Sequence, residues 1–161
     1  MFNFIYVYYL SNLYIYIYMN KKTIVYADIV GDMLHIGHVN LFKNCKQFGN
    51  YLIIGVCSDE LVKSYKRTPI LNLDERAGMI ESIKYVDKVI KSPPCPITES
   101  FIKEHNIDVV VHANDMSQEN LNYWYAAPIK LNKFRTVEYT KGISSTNIIT
   151  RIKKRILDGT L

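Results

Sequence analysis

Cysteine is scarce in this chain. Only Cys45, Cys57 and Cys95 occur in 161 residues, and no two form a C-x-x-C pair. That spacing suggests neither a zinc site nor a disulfide framework. Free thiols favour a reducing compartment, so a cytoplasmic setting is the expectation. Glycine and proline are also few, at seven and five residues. No linker-like stretch and no internal repeat interrupts the chain, and its length fits one domain. A chain of this size buries about two thirds of its unfolded surface without staples. Long runs of one charge sign are missing too, although the net charge is +5 and the pI is near 9.0. Basic residues cluster only at Lys63, Lys66 and Arg67, and again at Arg151, Lys153, Lys154 and Arg155. Neither group resembles a nucleic-acid arm, no aromatic-basic platform is visible, and no nucleic-acid partner is expected. The positive excess is equally well read as a solvated surface or as an attraction for a polyphosphate substrate.

Residues 1–18 are of another kind, being uncharged and carrying six of the 13 tyrosines. They are too short for a membrane-spanning helix and are interrupted by Ser11 and Asn12. A secretory signal would need a basic start and small residues before cleavage, and both are missing. The favoured division places 1–18 as an apolar extension outside a functional domain of residues 19–161. A membrane-associating extension is the less favoured alternative.

Beyond it, short β-branched runs alternate with helical periodicity. Strands are expected at Thr23–Ile29, Tyr51–Cys57, Val86–Ile90, Ile107–His112 and Arg135–Tyr139. Helices are expected at His38–Phe48, Glu60–Ser64 (capped by Ser58 or Asp59) and Glu75–Tyr85, with Met79, Ile80 and Ile83 inward. Further helices run from a Thr98 cap to His105, from Gln118 to Leu131 with an interruption at Pro128, and from a Ser144 or Ser145 cap to Leu157. This alternation defines an α/β fold, a doubly wound parallel five-stranded sheet in a single domain. Ligands in such folds bind beyond the carboxyl ends of the strands, where Asp28–His38, His112–Asp115 and Lys141–Thr146 should converge.

The chemistry concentrates at His35-Ile36-Gly37-His38, after a strand and opening a helix. Gly37 permits close backbone approach, and the helix start offers free N–H groups to a phosphate. Two imidazoles on that first turn can donate hydrogen bonds as charge develops on a phosphorus atom. The chain has only four histidines, which disfavours coincidence, and no third ligand sits at a zinc spacing. A second element, Gly142-Ile143-Ser144-Ser145-Thr146, offers amides and hydroxyls for phosphates, or simply a hydroxyl helix cap.

With Tyr26-Ala27-Asp28, Asp32 through His38, Tyr51 through Glu60, Lys66, Glu75-Arg76, Lys84 through Asp87, Ile107-Asp108, His112 through Asp115, and Gly142 through Thr146 with Ile149 through Ile152, the chain resembles the cytidylyltransferase family. That family activates phosphocholine, phosphoethanolamine, glycerol phosphate and some phosphonates. The resemblance implies a Rossmann-like fold in a homodimer, with CTP, its Mg2+ and a small phosphorylated acceptor as partners. It implies in-line attack by the acceptor phosphate on the α-phosphorus of CTP. His35, His38 and Lys66 match catalytic positions. Asp28, Ile29, Val30, Gly37, His112, Asn114, Asp115, Gly142, Ile143, Ser144, Ser145 and Thr146 match nucleotide-binding positions. Asp32, Lys66, Arg76 and Tyr139 match substrate-binding positions, Arg76 having an internal ion pair as its alternative.

The chain departs from the family pattern at four places. Ile29-Val30-Gly31 replaces a small residue followed by Phe, Tyr139-Thr140-Lys141 replaces an Arg-Thr step, and Ala113 replaces a glycine. Cys95 stands where choline-specific members place an aromatic residue. An aromatic cage is the means of holding a quaternary ammonium, so the expectation tilts to phosphoethanolamine or an aminophosphonate. Tyr123, Trp124 and Tyr125 are candidate aromatic faces or core residues. An adenylyltransferase with the same phosphate apparatus, and a nucleotide-binding module that has lost activity, are the alternatives.

Overall fold

The structure is a computed structural model that describes residues 21–161. The apolar 1–18 extension and its boundary lie outside the described residues. Five strands, β1 (Ile24–Ile29), β2 (Tyr51–Val56), β3 (Lys88–Lys91), β4 (Val109–Ala113) and β5 (Phe134–Val137), form one sheet in the order β3-β2-β1-β4-β5. Every pairing is parallel. The order reverses direction at β1, whose carboxyl end therefore opens into the crevice such sheets use for ligands.

Among the described residues six helices connect the strands, α1 (Ile36–Cys45), α2 (Asp59–Tyr65), α3 (Leu73–Glu81), α4 (Glu99–Glu104), α5 (Gln118–Trp124) and α6 (Ala126–Lys130), and a seventh, α7 (Ser145–Leu157), follows the last strand. Strand side chains alternate between faces. Val25, Ala27, Leu52, Ile54 and Val56 bury one way, with Phe42 and Cys45 of α1 and Ala77 and Ile80 of α3. Tyr26, Ile53 and Val110 bury the other way, with Phe101 and Ile102 of α4 and Tyr125. Helices thus cover both faces, as the alternation of elements predicts.

Several local expectations are corrected. The helix expected at His38 begins at Ile36 and ends at Cys45 rather than Phe48. The helix expected to reach Tyr85 stops at Glu81. Asp87 accepts the Leu52 amide at 2.7 Å and pairs with Lys46, drawing the chain into β3. Met79 points outward with 37% exposure, while Ile80 is fully buried. The break in the Gln118–Leu131 stretch falls at Tyr125, not Pro128. Pro128 is the third residue of α6, where no N–H has an intrahelical partner to lose. Ser58 and Ser144, the first of each pair of candidates, cap α2 and α7.

Candidate active site

The β1–α1 turn sets the position of the two histidines. His35 is the N-cap of α1, in extended conformation, and its Nδ1 accepts the Gly37 amide at 3.1 Å. His38 Nδ1 accepts the His35 amide at 3.3 Å. This is a capping box built from imidazoles in place of the usual hydroxyl and carboxylate. A ring nitrogen that accepts an N–H carries no proton, so both rings are neutral and carry theirs on Nε2. The rings lie 4.0 Å apart, centroid to centroid. A Cβ on Gly37 would lie 2.9 Å from the His35 ring, so glycine is what lets that imidazole fold back over the helix start.

Burial above all, then the adjacent His35 ring, which resists a second proton beside it, and the Lys66 ammonium, push the His38 pKa down to about 4. Burial also lowers that of His35. Both therefore act as neutral donors at physiological pH. The unfolded chain binds a proton at His38 near pH 6.5 while the folded chain does not until about 4. Stability from this group is complete above 6.5 and declines as pH falls toward 4, by about 3 kcal/mol. His38→Asn keeps an acceptor near the Nδ1 position but cannot titrate. Urea denaturation between pH 7 and pH 4 should show a shallower loss for this variant than for the wild type; parallel curves would contradict the assignment.

Asp32 is the second organiser, only 2% exposed. Its carboxylate accepts the amides of Ile70 and Leu71 at 3.0 and 3.1 Å and pairs with Arg67 at 2.7 Å. Burial alone would raise its pKa, but those two amides and Arg67 outweigh it and hold the carboxyl below its usual range. Its backbone oxygen accepts the Ser145 hydroxyl at 2.5 Å. One residue therefore joins the Lys66–Leu71 loop to the start of α7.

These elements enclose a cleft of about 430 Å³ at the carboxyl ends of the strands. All three segments expected to converge there do so. From β1 and its loop, Asp28, Ile29, Val30, Asp32, Gly37 and both histidines line it. Lys66, His112, Asp115 and Tyr139 also line it, with Ile143, Ser144, Ser145 and Thr146 at the mouth of α7.

Three expected residues stand back from the wall. Asn114 joins two loops, donating to Glu138 and accepting the Tyr139 amide, both at 2.9 Å. Gly142 supplies the left-handed turn, φ 86°, that leads into the α7 cap. Arg76 is fully buried beneath the cleft. Its Nε donates to the Leu71 carbonyl at 3.1 Å, and its terminal nitrogens reach the Cys57 carbonyl at 2.9 Å, the Val30 carbonyl and Asp59. A guanidinium so occupied is placed to brace the loops rather than to touch substrate, in line with the ion-pair alternative.

The other end of the cleft was less legible. The Asp28 carboxylate accepts the Tyr125 hydroxyl at 2.9 Å. Burial raises its pKa despite His112 and Tyr125, which act the other way. Cys57, Tyr65, Cys95 and Trp124 complete this end. Of the three consecutive aromatics, Tyr125 is buried, Trp124 packs against the core and Tyr123 is 61% exposed. Cys57, Tyr65 and Arg67 carry no local motif that would single them out as wall residues.

The sheet order and the cleft beyond the carboxyl ends of its strands define a doubly wound α/β domain with its ligand crevice at the switch point. The sequence model of the Cytidylyltransferase-like family matches residues 32–151, and the chain belongs to that family. The ethanolamine-phosphate cytidylyltransferase of Arabidopsis thaliana is 36% identical over 138 residues, covering 82% of this chain and 32% of the relative. The choline-phosphate cytidylyltransferase A of Homo sapiens is 37% identical over 131 residues, covering 80% of this chain and 36% of the relative. The chain thus spans about a third of the length of these curated relatives. Among solved structures, the lipopolysaccharide core biosynthesis protein of Thermoplasma volcanium superposes with a TM-score of 0.60 at 24% identity, covering 76% of this chain and all of that one. The pantothenate synthetase of Thermus thermophilus superposes at 0.55 with 13% identity, covering 83% of this chain and 64% of that one. Those two likenesses speak to the fold alone.

Proposed function

We propose that this domain transfers CMP from CTP to a small phosphorylated amino-alcohol, phosphoethanolamine in preference, and releases pyrophosphate. The observation that carries the reading is a single cleft with two chemically different ends. At one end, two Nε2–H donors, the α7 mouth and Lys66 suit a triphosphate. At the other, the Asp28 carboxylate sits among Tyr65, Trp124 and Tyr125. A primary ammonium offers three N–H donors to such a carboxylate. A trimethylammonium has none and depends on aromatic faces, of which Cys95 removes one. Relatives named for ethanolamine phosphate and for choline phosphate match at 36% and 37% identity, so the preference rests on the surroundings of Asp28.

In this reading the acceptor phosphate oxygen forms a bond to the α-phosphorus of MgCTP as the bond to the pyrophosphate oxygen breaks, without a protein nucleophile. Mg2+ enters as part of the substrate. Asp32, with both carboxylate oxygens engaged, has little capacity left for a cation. The protein contributes position and hydrogen bonds. The resemblance extends the reading to a homodimer, and the three free thiols suit the cytoplasm. No helix of the described residues is long and apolar enough to cross a membrane. Membrane attachment through 1–18 is not favoured.

Pyrophosphate release should be measured with CTP or ATP against phosphoethanolamine, phosphocholine, glycerol 3-phosphate and 2-aminoethylphosphonate. CTP with phosphoethanolamine should give the highest kcat/KM, about tenfold or more above phosphocholine. A preference for ATP or for glycerol 3-phosphate would overturn the reading. Asp28→Asn should raise the KM for phosphoethanolamine about thirtyfold or more, the scale of losing a buried charge partner. An unchanged KM would remove Asp28 from acceptor binding.

A further inference from the structure

At the acceptor end, three potential metal ligands meet. One carboxylate oxygen of Asp28 and the sulfurs of Cys57 and Cys95 all lie within 4.8 Å of one another. They come from three places: the end of β1, the residue after β2 and the loop after β3. Neighbouring ligands in a tetrahedral site with bonds of about 2.0–2.3 Å lie roughly 3.3–3.8 Å apart, so modest side-chain adjustment closes the set around one ion. We propose that Asp28, Cys57 and Cys95 form a binding site for a thiophilic divalent cation of the Zn2+ class, and that the ion there competes with the acceptor.

Three further observations bear on the site. The Tyr26 hydroxyl is fully buried and has no hydrogen-bond partner. A Cβ on Gly55, two residues before Cys57, would lie 2.1 Å from it, and burial first, then Asp28, push its pKa up, so the hydroxyl keeps its proton as a donor. A metal-bound thiolate would give this orphan donor an acceptor, which is the usual arrangement around a metal site. Asp28 is already oriented by the Tyr125 hydroxyl at 2.9 Å. All three ligand residues also line the cleft, so the fourth coordination position opens into it and is left to water or substrate. Ligand softness separates this ion from Mg2+, since two sulfurs select the zinc class and phosphate oxygens select magnesium.

Competition rests on the acceptor reading above, because Asp28 is the group both guests would claim. Binding of the ion itself does not rest on it. The test is a Co2+ titration of the full chain, kept reduced with a phosphine, followed by visible and near-ultraviolet absorption. One equivalent should produce intense tetrahedral bands and a thiolate charge-transfer band. Cys95→Ser and Cys57→Ser should each lose the charge-transfer intensity or weaken binding at least tenfold. Cys45→Ser, on the opposite face of the sheet, should keep both features. Should the buried Cys57 variant fail to fold, the half-buried Cys95 decides alone. Weak octahedral bands, or a Cys95→Ser titration identical to the wild type, would overturn the site. Saturating phosphoethanolamine without CTP should raise the apparent Kd for Co2+ at least tenfold. Full bands with no displacement would overturn the competition while leaving the ion site standing. Bands that persist in a protein showing no cytidylyl transfer would separate failure of the acceptor reading from failure of this one.

Discussion

His35→Asn and His38→Asn are each expected to lower kcat by about a hundredfold or more, while the folded domain loses about 1 kcal/mol or less. The two halves of that expectation come from the two nitrogens of each ring. Nδ1 caps α1, and an asparagine oxygen can occupy nearly the same place and accept the same N–H. With Nδ1 engaged, Nε2–H is the free donor of each cleft-lining ring, and it has no counterpart in asparagine. Losing one donor aimed at developing charge costs roughly 10²–10³ in turnover. Alanine at either position should reproduce the loss of turnover and add about 1 kcal/mol of lost capping. Steady-state kinetics with CTP and phosphoethanolamine, beside urea midpoints, would read both effects. Wild-type turnover in the asparagine variants would remove the imidazoles from the chemistry. A large fall in stability in those same variants would contradict the capping geometry.

Arg76→Met is the second large effect, and it is expected on folding. The guanidinium is completely buried and joins three loops through the carbonyls of Val30, Cys57 and Leu71 and the carboxylate of Asp59. Methionine fills much of the volume but leaves Asp59 without its cation and three carbonyls without donors. Asp59 is 32% exposed and keeps the Leu73 amide, so the cost lies mainly in the three unpaired carbonyls, about 3 kcal/mol or more together, a large part of the stability of an ordinary domain. Arg76→Lys should recover only a minority of this, because a single ammonium cannot span the planar fork. Thermal and urea unfolding of both variants checks this. A midpoint within about a degree of wild type in Arg76→Met would show that the brace contributes little.

The sheet and its order of elements were legible because they follow from periodicity. Runs such as Tyr51–Val56 and Val109–Ala113 are buried from both faces and read as parallel strands whatever surrounds them. The convergence of the β1 loop with the α7 start was legible for the same reason, since strand direction alone sends both to one side of the sheet. Other features depend on side-chain direction across long sequence separations. Arg76 sits in an ordinary helical stretch, and nothing nearby announces that its partners are carbonyls of distant loops. Cys57 and Cys95 follow different strands and share no spacing rule, so their meeting beside Asp28 appears only once β2 and β3 are paired. Helix ends moved where a tertiary contact overrode local preference, as at Glu81, where the Asp87 interactions end the helix early.

The position of β1 at the centre of the sheet has a wider consequence. The loop leaving it carries the whole histidine turn, whereas Cys57, Tyr65, Cys95 and Trp124 arrive on connections that follow other strands. Asp28 on β1 and Lys66 after α2 cross this division, but the histidine turn and the wall of thiols and aromatics are otherwise carried by different connections, so drift in one need not disturb the other. A lineage could trade one guest molecule for another by altering a residue such as Cys95, and keep the same engine throughout.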